Sequence, residues 1–288
     1  MKLVNVLSAL VLSLAAPVAY ANAVGDSLGI PDFNTIIGGT DVQSGDAALT
    51  STVLIVGRSA NPDGTMGTFI CTGSLIDTDI VLTAAHCLGE DGLAQVVVVF
   101  RNSVSSTGPV VKVSDRRRYS DFLDRAQAGD KDWHDLALVK LASAAPAGYS
   151  PAKMLPKASD LKTGGMVTLA GYGINVPVSN PNSTDNDGAG VLRRVDQTVL
   201  NNAYGQTEFT VSLANGKGAC HGDSGGPAYV TENGQLYLTG VASRLTEKDR
   251  VANNSDVNDF SCSVEMVYTN VLAQNAWITT NMNQLHGK

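Results

Sequence analysis

The feature that most limits the fold is a recurrence of short apolar or alternating runs, separated by Gly, Asn, Asp and Pro. From residue 51 these are STVLIVG, TFICTGSLI, DIVLTAA, AQVVVVF, GPVVKV and DLALVKL. In the second half they are MVTLAGYG, VLRRVDQTVL, EFTVSLA, QLYLTGVAS and VEMVYTNV. Runs of this length, rich in β-branched residues, suit strands and are short for helices. Their number predicts an all-β sandwich or barrel. One segment departs from the pattern. In VLAQNAWITTNMNQL (271–285), Leu272, Trp277, Ile278, Met282 and Leu285 recur at near-helical spacing and predict a C-terminal helix. A Pro-, Ala- and Ser-rich stretch, 142–162, divides the strand-rich region into two similar halves and reads as a linker.

The chain's 288 residues allow one or two domains, and 43% hydrophobic against 16% charged residues leaves ample material for a core. A formal net charge of −7 argues against nucleic acid or an anionic membrane as a partner. The first 23 residues carry Lys2, an apolar run and then Ala21-Asn22-Ala23, the pattern of a secretory signal peptide cut after Ala23. The run is short and no stop-transfer charges follow, so export to the periplasm or medium is expected, with no membrane anchor. Residues 24–35, VGDSLGIPDFNT, show no periodicity; IIGGT begins at Ile36.

Four cysteines, Cys71, Cys87, Cys220 and Cys262, predict two disulfides in an exported chain, and spacing leaves all three pairings open. Without a C-x-x-C pair, zinc and redox chemistry are disfavoured, and no metal or cofactor is expected. STDNDGAG (183–190) has a calcium-loop composition. The acidic residue that such a loop requires is replaced by Arg194, so the segment reads as a solvated surface loop. A second polar insertion covers 244–261.

Three separated segments carry the chemistry: LTAAHC with His86, DLALVKL with Asp135, and GDSGGP with Ser224. A serine hydroxyl is a weak nucleophile unless a base lies within hydrogen-bond reach, and imidazole is the side chain that titrates near neutrality. A carboxylate on the far ring nitrogen fixes the tautomer. Each segment alone is a modest signal; jointly, in the order His, Asp, Ser, they resemble the chymotrypsin/trypsin family of serine proteases. The resemblance runs from Ile36 to the C-terminal helix. It implies two antiparallel six-stranded β-barrels plus that helix, with the first barrel in 36–150, the second in 151–270 and the helix in 271–285.

The same resemblance assigns roles. His86, Asp135 and Ser224 would form the triad, and the N–H groups of Gly222 and Ser224 the oxyanion hole. Residues 24–35 would be a propeptide removed by an activating protease, after which the new α-amine of Ile36 would pair with Asp223. Ser243, in VASRL, would support the catalytic aspartate, and AGYG (170–173) would lie near the start of the second barrel. The disulfides would be Cys71–Cys87 and Cys220–Cys262. Two departures matter. Residue 35 is Thr, where the activation cut usually follows Arg or Lys. Gly218 stands where trypsins place an aspartate, and Leu245 and Met266 fall where small residues often line the specificity pocket.

These features predict a monomeric secreted endopeptidase acting on proteins or peptides, with cleavage after small or apolar residues. Arg244 and His221 leave acidic substrates open. A silent homologue acting as a binding module and an esterase-like hydrolase are the alternatives. His134 is expected to be structural, on the strand face opposite Asp135, and His286 to be exposed.

Overall fold

The computed structural model describes residues 36–43, 45–60, 65–89, 95–103, 106–122, 131–157, 160–175, 189–246, 248 and 262–287. The expected signal peptide, propeptide and most of both polar insertions lie outside these residues.

Fourteen strands are described: β1 (Thr40–Asp41), β2 (Thr52–Ala60), β3 (Met66–Asp77), β4 (Ile80–Thr83), β5 (Gln95–Val99), β6 (Val110–Arg118), β7 (Ala137–Leu141), β8 (Lys153–Met154), β9 (Met166–Gly171), β10 (Arg193–Asn201), β11 (Glu208–Ser212), β12 (Pro227–Glu232), β13 (Gln235–Leu245) and β14 (Glu265–Asn270). A helix, α1 (Asn275–Leu285), follows them.

The first six-stranded barrel closes in the order β2-β3-β4-β7-β6-β5. The second closes as β9-β10-β11-β14-β13-β12, because β9 pairs with both β10 and β12. All of these barrel pairings are antiparallel. Closure removes the open edges that a flat sheet would expose. The first core is mainly aliphatic, built on residues such as Leu54, Ile55, Leu82 and Leu138 with Phe100 among them; the second holds Phe209 stacked on Tyr268.

Each barrel is tied to the far end of the chain. Thr40 and Asp41 of β1 pair with Arg194 and Arg193 of β10, so the segment expected to open the first barrel adds to the second. Conversely, α1 packs on the first barrel. Ile278 and Leu285 are buried there, Trp277 stacks on Tyr119 at 4.7 Å, and His286 Nε2 lies 2.9 Å from Asp79. His286 is therefore half-buried and paired, where the sequence led us to expect exposure. Burial of each of the two aliphatic side chains stabilises by roughly 1.5–3 kcal/mol.

The expected linker is stitched to both barrels. Ala145 and Ala152 donate backbone N–H groups to Thr78 and Leu75, and Leu155 donates to Leu238. Second-barrel tyrosines reach into the first barrel: Tyr229 OH meets Ser51 Oγ at 2.8 Å, and Tyr172 OH donates to the Arg101 carbonyl at 2.6 Å. Both phenols are fully buried, and burial pushes both above their ordinary titration range. Disulfides join Cys71 to Cys87 and Cys220 to Cys262. No helix among the described residues is long and apolar enough to cross a membrane.

Candidate active site

His86 sits on a short 3-10 turn, Ala85–Leu88, that ends the β4 hairpin arm, and Cys87 on the same turn anchors it to β3. Asp135 lies two residues before β7, at 1% exposure. Its carboxylate is fully engaged. His86 approaches Oδ2 with Nδ1 at 2.8 Å and donates its backbone N–H to Oδ1 at 3.1 Å. Ser243 on β13 donates its hydroxyl to Oδ2 at 2.7 Å. With Nδ1–H committed to the carboxylate, Nε2 is left as the basic nitrogen.

The two groups shift in opposite directions. Burial alone would raise Asp135, but the nearby imidazole and the bonds from His86 and Ser243 outweigh it and hold the carboxyl below its ordinary value. Burial alone would lower His86, but the Asp135 charge and hydrogen bond outweigh that and raise the imidazole above its ordinary 6.5.

Ser224 lies in the turn before β12. Its carbonyl accepts the Thr72 N–H at 2.8 Å and lies 3.6 Å from Cys87 Sγ, beside the His86 turn. Among the described contacts Ser224 Oγ makes no hydrogen bond to the imidazole. Such bonds are commonly long in the unliganded state.

The backbone around Ser224 is oriented by its carbonyls. The His221 carbonyl accepts the Ile174 N–H at 2.8 Å, and the Asp223 carbonyl accepts the Gly226 N–H at 2.8 Å. A trans peptide points its N–H opposite its C=O, so the N–H groups of Gly222 and Ser224 face away from those partners. Neither N–H has an acceptor among the described residues. Gly222 holds φ +90, and a Cβ there would lie 2.8 Å from Gly173 Cα, so only glycine fits.

The family model described as Trypsin matches residues 36–281. The chain belongs to the trypsin family. It is a serine-type endopeptidase, a hydrolase with protein substrates. Brachyurin from Leptuca pugilator is 29% identical over 59% of this chain and 74% of its own length. Glucanase inhibitor protein 4 from Phytophthora infestans is 31% identical over 70% of this chain and 81% of its own. A solved structure of HL collagenase has a TM-score of 0.64 at 21% identity, covering 86% of this chain and 99% of that one, and supports the fold.

This trypsin-family chain holds a second buried carboxylate beside Ser224. Asp223 is 1% exposed and accepts N–H groups from Gly173 (2.7 Å) and Cys220 (2.8 Å). Among the described residues no cation pairs with it. Burial pushes its carboxyl up to about 7, against the lowering effect of those two bonds. AGYG now has a reason: a Cβ at either Gly171 or Gly173 would run into the Asp223 carboxyl. Ile36 is buried in the second hydrophobic core, and Ile37 forms a two-way backbone bridge with Gly218.

Gly218 faces Leu213, whose side chain a Cβ at 218 would strike. Met266 is buried in one cluster with Leu213, Ala219, Cys220 and Cys262. It pairs across the strands with Leu245, which packs against the same cluster.

Arg244 is not available to an acidic substrate. Its guanidinium forks onto buried Glu208 at 2.7 and 2.9 Å and lies 4.2 Å from the centre of the Trp133 ring. Glu208 also accepts the N–H groups of Asp132 and Trp133. Its partner stands 36 residues earlier, on a different strand, so nothing local in the sequence marks the pair. His221 is exposed. His134 precedes β7 with φ +54, and pairs with Asp121 at 3.0 Å.

In each of two His/Cys groupings, Cys71/His86/Cys87 and Cys220/His221/Cys262, the potential ligand atoms lie within 4.8 Å of one another. Their sulfurs are in disulfides, which removes the thiolates that a metal would take.

With His86 as the general base that the family resemblance implies, the raised imidazole is expected to place the acid limb of kcat/KM above pH 6.5. Asp135→Asn removes the raising charge. The residual activity of this variant should show an acid limb at lower pH and kcat reduced by about 10⁴, as measured by pH profiles on a peptide substrate.

Proposed function

We propose that this chain is exported, loses residues 24–35, and hydrolyses peptide bonds through an acyl-enzyme on Ser224. The observation that carries the reading is the commitment of His86 Nδ1 to buried Asp135, beside a serine whose own N–H and that of Gly222 are unspent. Nε2 of His86 takes the Ser224 proton as Oγ attacks the carbonyl carbon, then delivers it to the leaving amine. The two N–H groups receive the charge that develops on the carbonyl oxygen. Water repeats the sequence to release the acid product. Asp135 and Ser243 keep the imidazole oriented throughout.

Activation follows from Asp223. In the uncut chain its ionisation is opposed by burial, with a shift from 3.8 to about 7 equivalent to roughly 4 kcal/mol. A new α-ammonium at Ile36 would supply the missing cation beside the Ile37–Gly218 bridge. Because residue 35 is Thr, the activating protease has a specificity other than trypsin's.

The binding pocket favours small or medium apolar residues before the scissile bond. Gly218 carries no counter-charge for Arg or Lys, Leu213 occupies the space beside it, and Met266 and Leu245 add apolar bulk. Burying a substrate cation there would lack compensation. The relative named as a glucanase inhibitor gives the binding-module reading its support, whereas the intact triad favours catalysis.

Three outcomes test these statements. A fluorophosphonate should label the matured wild-type chain at Ser224 and leave Ser224→Ala unlabelled; absence of labelling in active wild-type preparations would refute the nucleophile. Met266→Gly should admit larger aromatic residues before the scissile bond on a peptide library, whereas an unchanged profile would remove Met266 from the pocket.

The third concerns pH. A carboxyl raised on folding destabilises progressively as pH climbs from about 4 to about 7. In Ser224→Ala chains cut and uncut between Thr35 and Ile36, the Tm advantage of the cut form should therefore be larger at pH 7.5 than at pH 5. An equal advantage at both pH values would disprove the Ile36–Asp223 pair.

A further inference from the structure

The nucleophile loop is gripped by a first-barrel residue that no sequence motif marked. Thr72 lies on β3, beside Cys71, and is fully buried. Its N–H donates to the Ser224 carbonyl at 2.8 Å, and its hydroxyl donates to the Gly222 carbonyl at 3.1 Å. The hydroxyl also accepts the Tyr172 N–H at 3.0 Å. That second bond directs the first, because an oxygen already facing a donor must turn its own hydrogen elsewhere. The Thr72 carbonyl in turn accepts the Thr83 hydroxyl at 2.9 Å.

Gly222 most needs an external hold. It must be glycine, since Gly173 and Ile70 leave no room for a Cβ. Glycine supplies no side chain and no steric limit on its own dihedrals. Its N–H can stay aimed only if neighbouring groups fix both of its peptides. Ile174 fixes the peptide before it, through the His221 carbonyl. The Thr72 hydroxyl fixes the peptide after it. Thr72 is itself rigid, paired to Leu54 in the barrel and next to the Cys71–Cys87 disulfide.

We infer that Thr72 is a positioning residue for the oxyanion hole, holding the carbonyls of both residues whose N–H groups form it. The inference rests on the reading of Gly222 and Ser224 given above. The side-chain half of the grip is separable from the backbone half, because substitution removes the hydroxyl and leaves the amide in place.

The test compares Thr72→Val, Thr72→Ala and Thr72→Ser with wild type, each expressed as the full chain and matured. Val keeps the shape and removes the hydroxyl; Ser keeps the hydroxyl and removes the methyl. The expected result for Val and Ala is a fall in kcat of about tenfold or more, below the 10²–10³ that follows loss of a donor outright, with KM within about twofold. The affinity of a peptide aldehyde, whose adduct places an oxyanion in the hole, should weaken in step with kcat/KM. Ser should retain wild-type behaviour on both measures. If Val does not fold, the Ala–Ser pair carries the comparison.

The inference is overturned if Val or Ala keeps wild-type kcat, if the loss appears in KM with aldehyde affinity unchanged, or if Ser is as impaired as Ala. Inactive wild type with an unlabelled Ser224 would instead defeat the catalytic reading itself.

Discussion

A carboxylate removed from water must be given donors, and much of this molecule is arranged around giving them to Asp135. Desolvation opposes its charge; two donors from His86 and one from Ser243 outweigh that opposition. Two of the donors stand on the first barrel and the third on the second. The carboxylate is thus satisfied only when the barrels are docked, and docking is what brings Ser224 to His86. Tyr172 and Tyr229 reinforce the same interface by placing buried phenols of the second barrel against donors and acceptors of the first. Docking of the barrels and satisfaction of this carboxylate are here one requirement.

Asp223, one residue before the nucleophile, shows what happens when the donors are too few. It is as buried as Asp135, yet it has two backbone N–H groups where Asp135 has three donors including an ionisable ring. Its carboxyl moves up to about 7 and that of Asp135 moves down. Burial is common to both; the difference lies in the partners. Gly171 and Gly173 are bare because the carboxyl fills the space where their side chains would be.

Most strands were legible because apolar runs bounded by turn residues carry their own periodicity. β12 was not marked, since it begins at Pro227, inside the segment read for its chemistry. The helix was anticipated from 271 but starts at Asn275, because Asn270 caps a turn with its side-chain oxygen on the Leu272 and Ala273 N–H groups. The exchange of β1 onto the second barrel could not be read, since two polar residues carry no periodic signal. Site residues with chemical names, His86, Asp135 and Ser224, stood out. Thr72 did not, because one threonine in a strand looks like any other until its partners, 100 and 150 residues away, are in place.

Arg244 and Glu208 show the same limit from the side of charge. A buried ion pair gains little over apolar packing unless geometry and additional hydrogen bonds compensate desolvation. Here they do: the guanidinium is forked onto both carboxylate oxygens, stacked on Trp133, and the carboxylate takes two further backbone N–H groups. Those N–H groups belong to Asp132 and Trp133, in a segment where Asp132 and His134 both hold positive φ. Left-handed backbone at non-glycine residues costs of order 1–3 kcal/mol each and persists only where surroundings enforce it. The Asp132 carboxylate is held in turn by Thr207 and Gln206, next to Glu208. The second barrel therefore holds, through Glu208, Arg244, Gln206 and Thr207, the turn that delivers Asp135 to His86. A charge that looked like a surface feature in sequence is part of the frame that fixes the site.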